Sequence, residues 1–169
     1  QRQMCIRDRF STLFARYKGD FAAQLAGAAA IDTLKDGDRV LIAEGCSHHV
    51  TCDDIGRVKI PNWMKKYTGR ELKFEWTQGA DFPDNLEDYA LVVHCGGCML
   101  NRAEVRRRIN ECARQGVKVT NYGIVISKMQ GVLERVVKGI ADAGATGSVS
   151  DTGSISDTGS ISDTGEEGD

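Results

Sequence analysis

Blocks of apolar residues at two different spacings alternate along most of this 169-residue chain. Behind Asp20, which can cap a helix, the segment "FAAQLAGAAAIDTL" repeats apolar residues at helical spacing. Short, continuous apolar runs such as "RVLIA" and "YALVV" are instead typical of strands that are buried on both faces. The pattern predicts four strands, at 39–44, 71–76, 89–94 and 117–121. It also predicts four helices, at 20–34, 60–69, 101–116 and 123–139.

Strands that alternate with helices favour an α/β fold, here a small doubly wound, mostly parallel four-stranded sheet with flanking helices. Right-handed crossovers place the loops that follow the strands at one edge of such a sheet. Ligands bind at this edge, at the point where the strand order reverses. In the predicted order 2-1-3-4, the reversal lies between the first and third strands. The loops that follow these two strands are therefore expected to meet.

These two loops carry an unusual share of the metal-binding side chains. The stretches "EGCSHH" and "VVHCGGCM" hold all three histidines and three of the six cysteines. The pattern is Cys46-x-His48, a long spacer, and then His94-Cys95-x-x-Cys98. Three thiolates with nearby imidazoles suit either zinc or an iron–sulfur cluster. The sequence therefore predicts a metal site at the sheet edge.

Composition excludes several classes of function. The formal net charge of −2 gives no electrostatic footprint for nucleic acid. The longest mostly apolar run, "FAAQLAGAAAI", is shorter than the roughly 20 residues that span a bilayer, so no membrane segment is expected. No signal peptide is recognisable, which predicts a cytoplasmic protein with reduced thiols. In that compartment, clustered Cys and His indicate metal or redox chemistry rather than disulfides.

The two ends differ in character from the middle of the chain. Residues 1–9 have no apolar period and are expected to be a non-native extension, which removes Cys5 from the candidate ligands. Residues 10–140 form the predicted domain. Residues 141–169 contain the hexapeptide repeat "SVSDTGSISDTGSISDTG" and are expected to be a disordered tail, since each repeat offers too little apolar surface to bury.

Four stretches resemble one known family closely. "LFARYKGD", "DGDRVLIAEGC", "CDDIG" and "HCGGCMLNR" are similar to the C-terminal domain of the FeFe-hydrogenase maturation GTPases, the HydF family. The resemblance covers about residues 10–140, and the signature Cys-x-His, spacer, His-Cys-x-x-Cys is matched in full. It implies a 4Fe-4S cluster held by Cys46, Cys95 and Cys98. His48 or His94 would either provide the fourth ligand or orient its neighbours.

The resemblance also implies a role as scaffold and carrier. A member of this family accepts a diiron subcluster that two radical-SAM maturases make, and delivers it to apo FeFe-hydrogenase. The family forms homo-oligomers, dimers or tetramers, and the small-residue helix at 20–34 is one candidate surface. GTP binds to an N-terminal domain of the family, and no GxxxxGK[ST] motif occurs in this sequence. This chain is therefore expected to be a non-catalytic scaffold.

The diiron passenger is anionic, which predicts cations beside the site. Arg102 at a helix start and Lys128 after the fourth strand are the candidates. Two alternatives remain open at this point. One is a structural zinc module of Cys46, His48, Cys95 and Cys98. The other is a thiol–disulfide oxidoreductase that uses Cys95 and Cys98 at a helix start.

Overall fold

A four-stranded parallel sheet forms the centre of the protein. The computed structural model describes residues 11–45 and 54–145. Its strands are β1 (Arg39–Ala43), β2 (Lys73–Thr77), β3 (Leu91–His94) and β4 (Lys118–Asn121). They are all parallel and lie in the order β2-β1-β3-β4. The predicted fold class and strand order are confirmed.

In the described ranges, six α-helices and two short helical segments surround the sheet. The α-helices are α1 (11–18), α2 (Phe21–Ala29), α3 (Ile60–Thr68), α4 (Arg102–Arg114), α5 (Tyr122–Met129) and α6 (Leu133–Ala145). A 3-10 helix (Ala30–Thr33) continues α2, and a π-helical turn (Ile55–Lys59) precedes α3. Within the described ranges, no helix is both long and apolar enough to cross a membrane. The sequence pattern did not predict α1 or the π-helical turn.

The last predicted helix is two helices. Gly131 adopts a positive φ of 68°, and its amide donates to the Lys128 carbonyl at 3.0 Å. The next amide, that of Val132, donates to the Ser127 carbonyl at 2.9 Å, so the turn ends α5 as a left-handed glycine commonly ends a helix. At the other end, α6 continues to Ala145 and includes the first five residues of the expected tail. Residues 1–10 and the rest of that tail lie outside the described part.

Both faces of the sheet are covered, as the continuous apolar strands require. Val40, Ile42, Leu91 and Val93 pack beneath α3 and α5 on one face. On the other face, α4 covers the alternate residues, which include Leu41, Val92 and Val119. Cys112 lies in this second cluster and is fully buried.

Helix α2 lies along the outer edge of β4. Ala23 contacts the cluster beneath α4, whereas Ala28 contacts Ile124 of α5 on the opposite face of the sheet. Gly27 lies between them, and a Cβ at Gly27 would overlap with the carbonyl oxygen of Val119. Gly27 and Ala28 of this helix are therefore buried inside the subunit, whereas Ala22, Ala26 and Ala29 are exposed. The oligomer surface expected on this helix stays a prediction.

The register of the sheet brings the strand ends to one level. Ala43 pairs with Thr77 on one side and with His94 on the other, and His94 pairs with Asn121. The residues that follow these pairs share the carboxyl edge of the sheet. They are Glu44, Gln78, Cys95 and Tyr122.

Candidate metal centre

The two cysteine-bearing loops meet at Cys95. The amide of Gly45 donates a hydrogen bond to Sγ of Cys95 at 3.0 Å, and the amide of Gly97 donates to the same sulfur at 3.4 Å. The backbone of Cys95 also continues the pairing of β3 with β1, because its amide donates to the Ala43 carbonyl at 2.9 Å. Cys46 is the next residue after Gly45 in the sequence.

Cys98 is exposed on a short turn between β3 and α4. We refer to residues 95–100 as the cysteine loop. The turn depends on Gly97, whose φ of 64° favours glycine, and the Leu100 amide donates to the Gly97 carbonyl at 3.2 Å. Asn101 then caps α4 by accepting the Glu104 amide at 2.8 Å.

His94 is directed away from the sulfur of Cys95. Successive residues of a strand point to opposite faces, and His94 lies on the side of α4 near Arg108. Its Nδ1 lies 2.7 Å from the Cys95 carbonyl, which only accepts hydrogen bonds, so Nδ1 carries the proton. Nε2 is buried and has no hydrogen-bond partner among the described residues. Burial is the main cause that lowers the pKa of His94 to about 4, so the ring is neutral at pH 7.

A buried carboxylate joins the two ends of the loop that carries Cys46. Glu44 is 1% exposed, and its oxygens lie 3.3 Å from the Tyr122 hydroxyl, 3.3 Å from Nε2 of Gln78 and 3.6 Å from Nη2 of Arg57. Glu44 precedes this loop and Arg57 follows it. Asp54 fixes the returning chain by accepting the amides of Gly56 and Arg57 at 2.8 and 3.0 Å. Residues 54–57 therefore lie beside Glu44 at the carboxyl edge of the sheet.

Tyr122 packs against this carboxylate and lies near Cys95. Burial, followed by the negative charges of Glu44 and Cys95, raises the pKa of Tyr122 well above its usual value. A Cβ at Gly56 would overlap with the Tyr122 hydroxyl and lie 2.6 Å from Oε1 of Glu44. The close approach of the π-helical turn to the sheet edge thus requires glycine at position 56.

The two cations predicted to hold an anionic passenger lie in different places. Arg102 is exposed in the first turn of α4, where it lines a shallow groove of about 590 Å³ with residues of α1. Lys128 lies in the last turn of α5, and its Nζ contacts Oδ2 of Asp32 at 2.7 Å. Helix α5 starts at the carboxyl ends of the strands and extends about 12 Å. Lys128 in its last turn therefore lies towards the amino ends of the strands, away from the cysteine loop. The hydrogen bond from Lys128 to Asp32 raises the pKa of Lys128.

The remaining predicted ligands, Cys46 and His48, lie outside the described residues, as do His49 and Cys52. Within the ranges that the structure covers, no three His, Cys, Asp or Glu side chains form a metal-binding group. The described half of the site nevertheless fits a thiolate-bound metal. Two amides donate to the sulfur of Cys95, and hydrogen bonds to cysteine sulfur are typical of iron–sulfur sites.

Sequence patterns did not single out two residues that shape this site, Glu44 and Lys18. Glu44 follows a strand, and its burial depends on partners from three separate segments. Lys18 of α1 donates to the carbonyls of Gly97, Cys98 and Leu100 in the cysteine loop. The only sequence signal for their importance was that Lys18 lies in "LFARYKGD" and Glu44 in "RVLIAEGC", two stretches that resemble the family. Residue spacing gave no such signal.

Comparison with known proteins identifies the domain. The family model described as the hydrogen maturase F tetramerization domain matches residues 22–139, which is more than half of the chain. No curated protein matches the chain with significance. The matched range contains the whole sheet, the cysteine loop and helices α2 to α5. The chain therefore belongs to the hydrogen maturase F family and carries its tetramerization domain.

Proposed function

We propose that this domain binds a 4Fe-4S cluster through Cys46, Cys95 and Cys98, and that it acts as a carrier in hydrogenase maturation. In this role it accepts a diiron subcluster made by two radical-SAM maturases and delivers it to apo FeFe-hydrogenase. Its family membership supports an assembly of several copies that scaffolds hydrogenase maturation. The cluster, the cargo and these partners are our proposal.

The observation that carries the proposal is the hydrogen bond from Gly45 to Cys95. It brings the chain that leads to Cys46 into direct contact with the sulfur of Cys95, although Gly45 and Cys95 are 50 positions apart. Cys98 follows Cys95 by three residues, and the positive φ of Gly97 reverses the direction of the chain between them. Cys95 and Cys98 follow β3 at the point where the strand order reverses, which is the usual ligand site of this fold, and Cys46 is expected to join them because it directly follows Gly45 in the sequence.

Three cysteine ligands suit carriage better than four. A bound cluster with three cysteinates supplies one iron whose remaining position can be exchanged. The amides of Gly45 and Gly97 donate to the sulfur of Cys95, which would stabilise its thiolate. Arg102, exposed at the N-terminus of α4, would attract an anionic cargo together with the positive end of the helix dipole.

The test is the iron, acid-labile sulfide and zinc content after anaerobic purification and reconstitution. We expect about four irons and four sulfides per chain in the wild type. Cys95→Ser and Cys98→Ser should lose most of this content, because each removes a thiolate ligand. Cys112→Ser is the matched control, since Cys112 is buried in the core and should leave the iron content unchanged.

One zinc per chain without sulfide, persisting after reconstitution, would overturn the cluster and support a structural zinc module instead. Equal iron content in Cys98→Ser and Cys112→Ser would contradict the proposed ligands. Reduction of insulin disulfides by the metal-free protein would support a thiol–disulfide oxidoreductase that uses Cys95 and Cys98.

A further inference from the structure

Lys18 makes an unusual set of contacts with the cysteine loop. Its Nζ lies 3.1 Å from the carbonyl oxygen of Gly97, 3.3 Å from that of Cys98 and 2.9 Å from that of Leu100. A lysine ammonium has three N–H donors, and here each has a carbonyl acceptor in the same loop. The acceptors are 79 to 82 positions away in the sequence, so these bonds are tertiary and not part of a local turn.

The helix that carries Lys18 is fixed at its other end to the sheet. Nδ2 of Asn121 donates to the Ser11 carbonyl at 2.8 Å, and the Gly123 amide donates to Oγ of Ser11 at 3.1 Å. Both hydrogen bonds are buried, and Asn121 is the last residue of β4. The ammonium of Lys18 also lies 4.8 Å from the centre of the Phe14 ring. Helix α1 therefore links the end of β4 to the cysteine loop.

Cys95 is anchored to β1, but the following residues 96–100 of the loop have few hydrogen bonds of their own. Within the described residues, the Leu100 amide bonds to the Gly97 carbonyl and the Gly97 amide bonds weakly to the Cys95 sulfur. Cys98 itself is exposed. Three charge-assisted bonds to consecutive parts of the turn would restrict both its backbone and the direction of the Cys98 side chain.

We propose that Lys18 is a positioning residue that fixes the cysteine loop for metal binding and whose charge stabilises the reduced, more negative state of the bound cluster. The electrostatic role rests on the proposed cluster, whereas the positioning role concerns the metal-free loop. A cluster bound by cysteinates is anionic and gains a negative charge on reduction. A cation that is held close to a ligand loop favours that state and raises the reduction potential.

The first experiment measures amide hydrogen exchange of the cysteine loop in the metal-free chain. Lys18→Met keeps the aliphatic stem and removes the donors, so the loop amides should exchange about tenfold faster. Exchange of β3 amides reports on the global fold and should not change. Lys66→Met, an exposed lysine on α3, is the matched control and should resemble the wild type in both regions.

The second experiment measures the reduction potential of the reconstituted cluster. Lys18→Met should lower the potential, Lys66→Met should leave it unchanged, and Lys18→Arg should restore it because the charge is kept. A lysine that only stabilised the fold would not produce this dependence on charge. Faster iron loss to a chelator in Lys18→Met would further support the positioning role.

The outcomes separate this inference from the proposed function. If the wild type takes up no cluster, the proposed function fails, and hydrogen exchange still decides whether Lys18 orders the loop. If the wild type binds a cluster but Lys18→Met has wild-type exchange and potential, the role of Lys18 is overturned. Faster exchange with an unchanged potential would retain the positioning role and reject the electrostatic one. If Lys18→Met does not fold, Lys18→Leu, which also lacks donors, replaces it under the same criteria.

Discussion

The hydroxyl of Tyr122 donates a hydrogen bond of 3.3 Å to Oε1 of Glu44, and thereby joins the end of β4 to the end of β1. Glu44 is almost fully buried, and its other oxygen lies 3.3 Å from Gln78 and 3.6 Å from Arg57. Burying a carboxylate is costly unless donors surround it. The four side chains therefore form one interdependent network at the carboxyl edge of the sheet.

Removing the hydroxyl of Tyr122 should destabilise the protein. In Tyr122→Phe the buried carboxylate loses a donor, and we expect the free energy of unfolding to fall by about 1–2 kcal/mol. Urea denaturation measures this change. Tyr67→Phe is the control: its hydroxyl bonds to the exposed Asp32 at 3.0 Å, and solvent can replace that bond. Equal losses in the two variants would contradict the network.

Two glycine-to-alanine substitutions should have opposite effects. A Cβ at Gly27 would overlap with the Val119 carbonyl, so Gly27→Ala must push α2 away from β4 and should cost about 1–3 kcal/mol. Gly139 lies exposed in α6 with no atom within 4 Å of a new Cβ, and Gly139→Ala should stabilise by up to about 1 kcal/mol. Thermal or urea unfolding of the pair provides the comparison. A neutral Gly27→Ala would show that α2 does not approach β4 this closely.

The stability of the metal-free protein should depend on pH through His94. Burial lowers the pKa of His94 to about 4 in the folded state, whereas the unfolded value is near 6.5. Between these values the unfolded chain binds more protons, so the free energy of unfolding rises with pH through this window. Stability should be complete above about pH 6.5, with a loss of up to about 3 kcal/mol as the pH falls towards 4.

Unfolding measured from pH 4.5 to 7.5 tests the contribution of His94. His94→Asn keeps a donor for the Cys95 carbonyl and removes the titrating group, so it should show a smaller slope than the wild type. Parallel slopes in the two proteins would assign the pH dependence to other groups.

The described cysteines should differ sharply in their reaction with iodoacetamide. Burial, followed by the negative charge of Glu111, raises the pKa of Cys112 to about 12, so the folded protein offers almost no Cys112 thiolate at pH 8. Cys98 is exposed. Peptide mass spectrometry of the metal-free protein should find Cys98 modified well before Cys112. Similar rates would indicate that the core around α4 opens readily.

Loading of an anionic diiron complex should depend on Arg102 and not on Lys128. Arg102→Ala removes an exposed cation at the start of α4, beside the cysteine loop, and should weaken uptake several-fold. Lys128→Ala should leave uptake unchanged, because Lys128 is paired with Asp32 towards the other edge of the sheet. Infrared bands of bound cyanide measure the uptake. A loss in Lys128→Ala alone would reverse this assignment.

Much of the fold could be predicted because its strands are short, apolar and punctuated by glycine turns. Continuous burial of β1 and β3 indicates parallel strands, and the right-handed crossover then fixes which ends meet. The neighbourhood of Gly45 and Cys95 follows from this topology alone. No spacing rule could predict that Ser11 would contact Asn121 and Gly123, since these bonds span more than 100 positions.

Charged residues were the least predictable part. A run of charges such as "RRR" at 106–108 is usually a solvated helix face, but Arg108 is 1% exposed. Arg108 donates to Glu104 at 2.7 Å, which helical spacing can indicate, but its bond to the Gly79 carbonyl comes from a distant loop. For Lys128, the sequence shows that it follows β4 but not that eight residues of α5 carry it towards the opposite edge.

The position of α2 along β4 also limits how copies of this domain can associate. An uncovered edge strand can pair with a strand of another chain and extend the sheet between molecules. At the β4 edge, α2 occupies the place that an added strand would need. Among the described strands, only β2 keeps an edge without a neighbouring strand or α2, and Lys73 and Glu75 on β2 disfavour such pairing. Lateral growth of the sheet into fibres is thereby disfavoured at both sides.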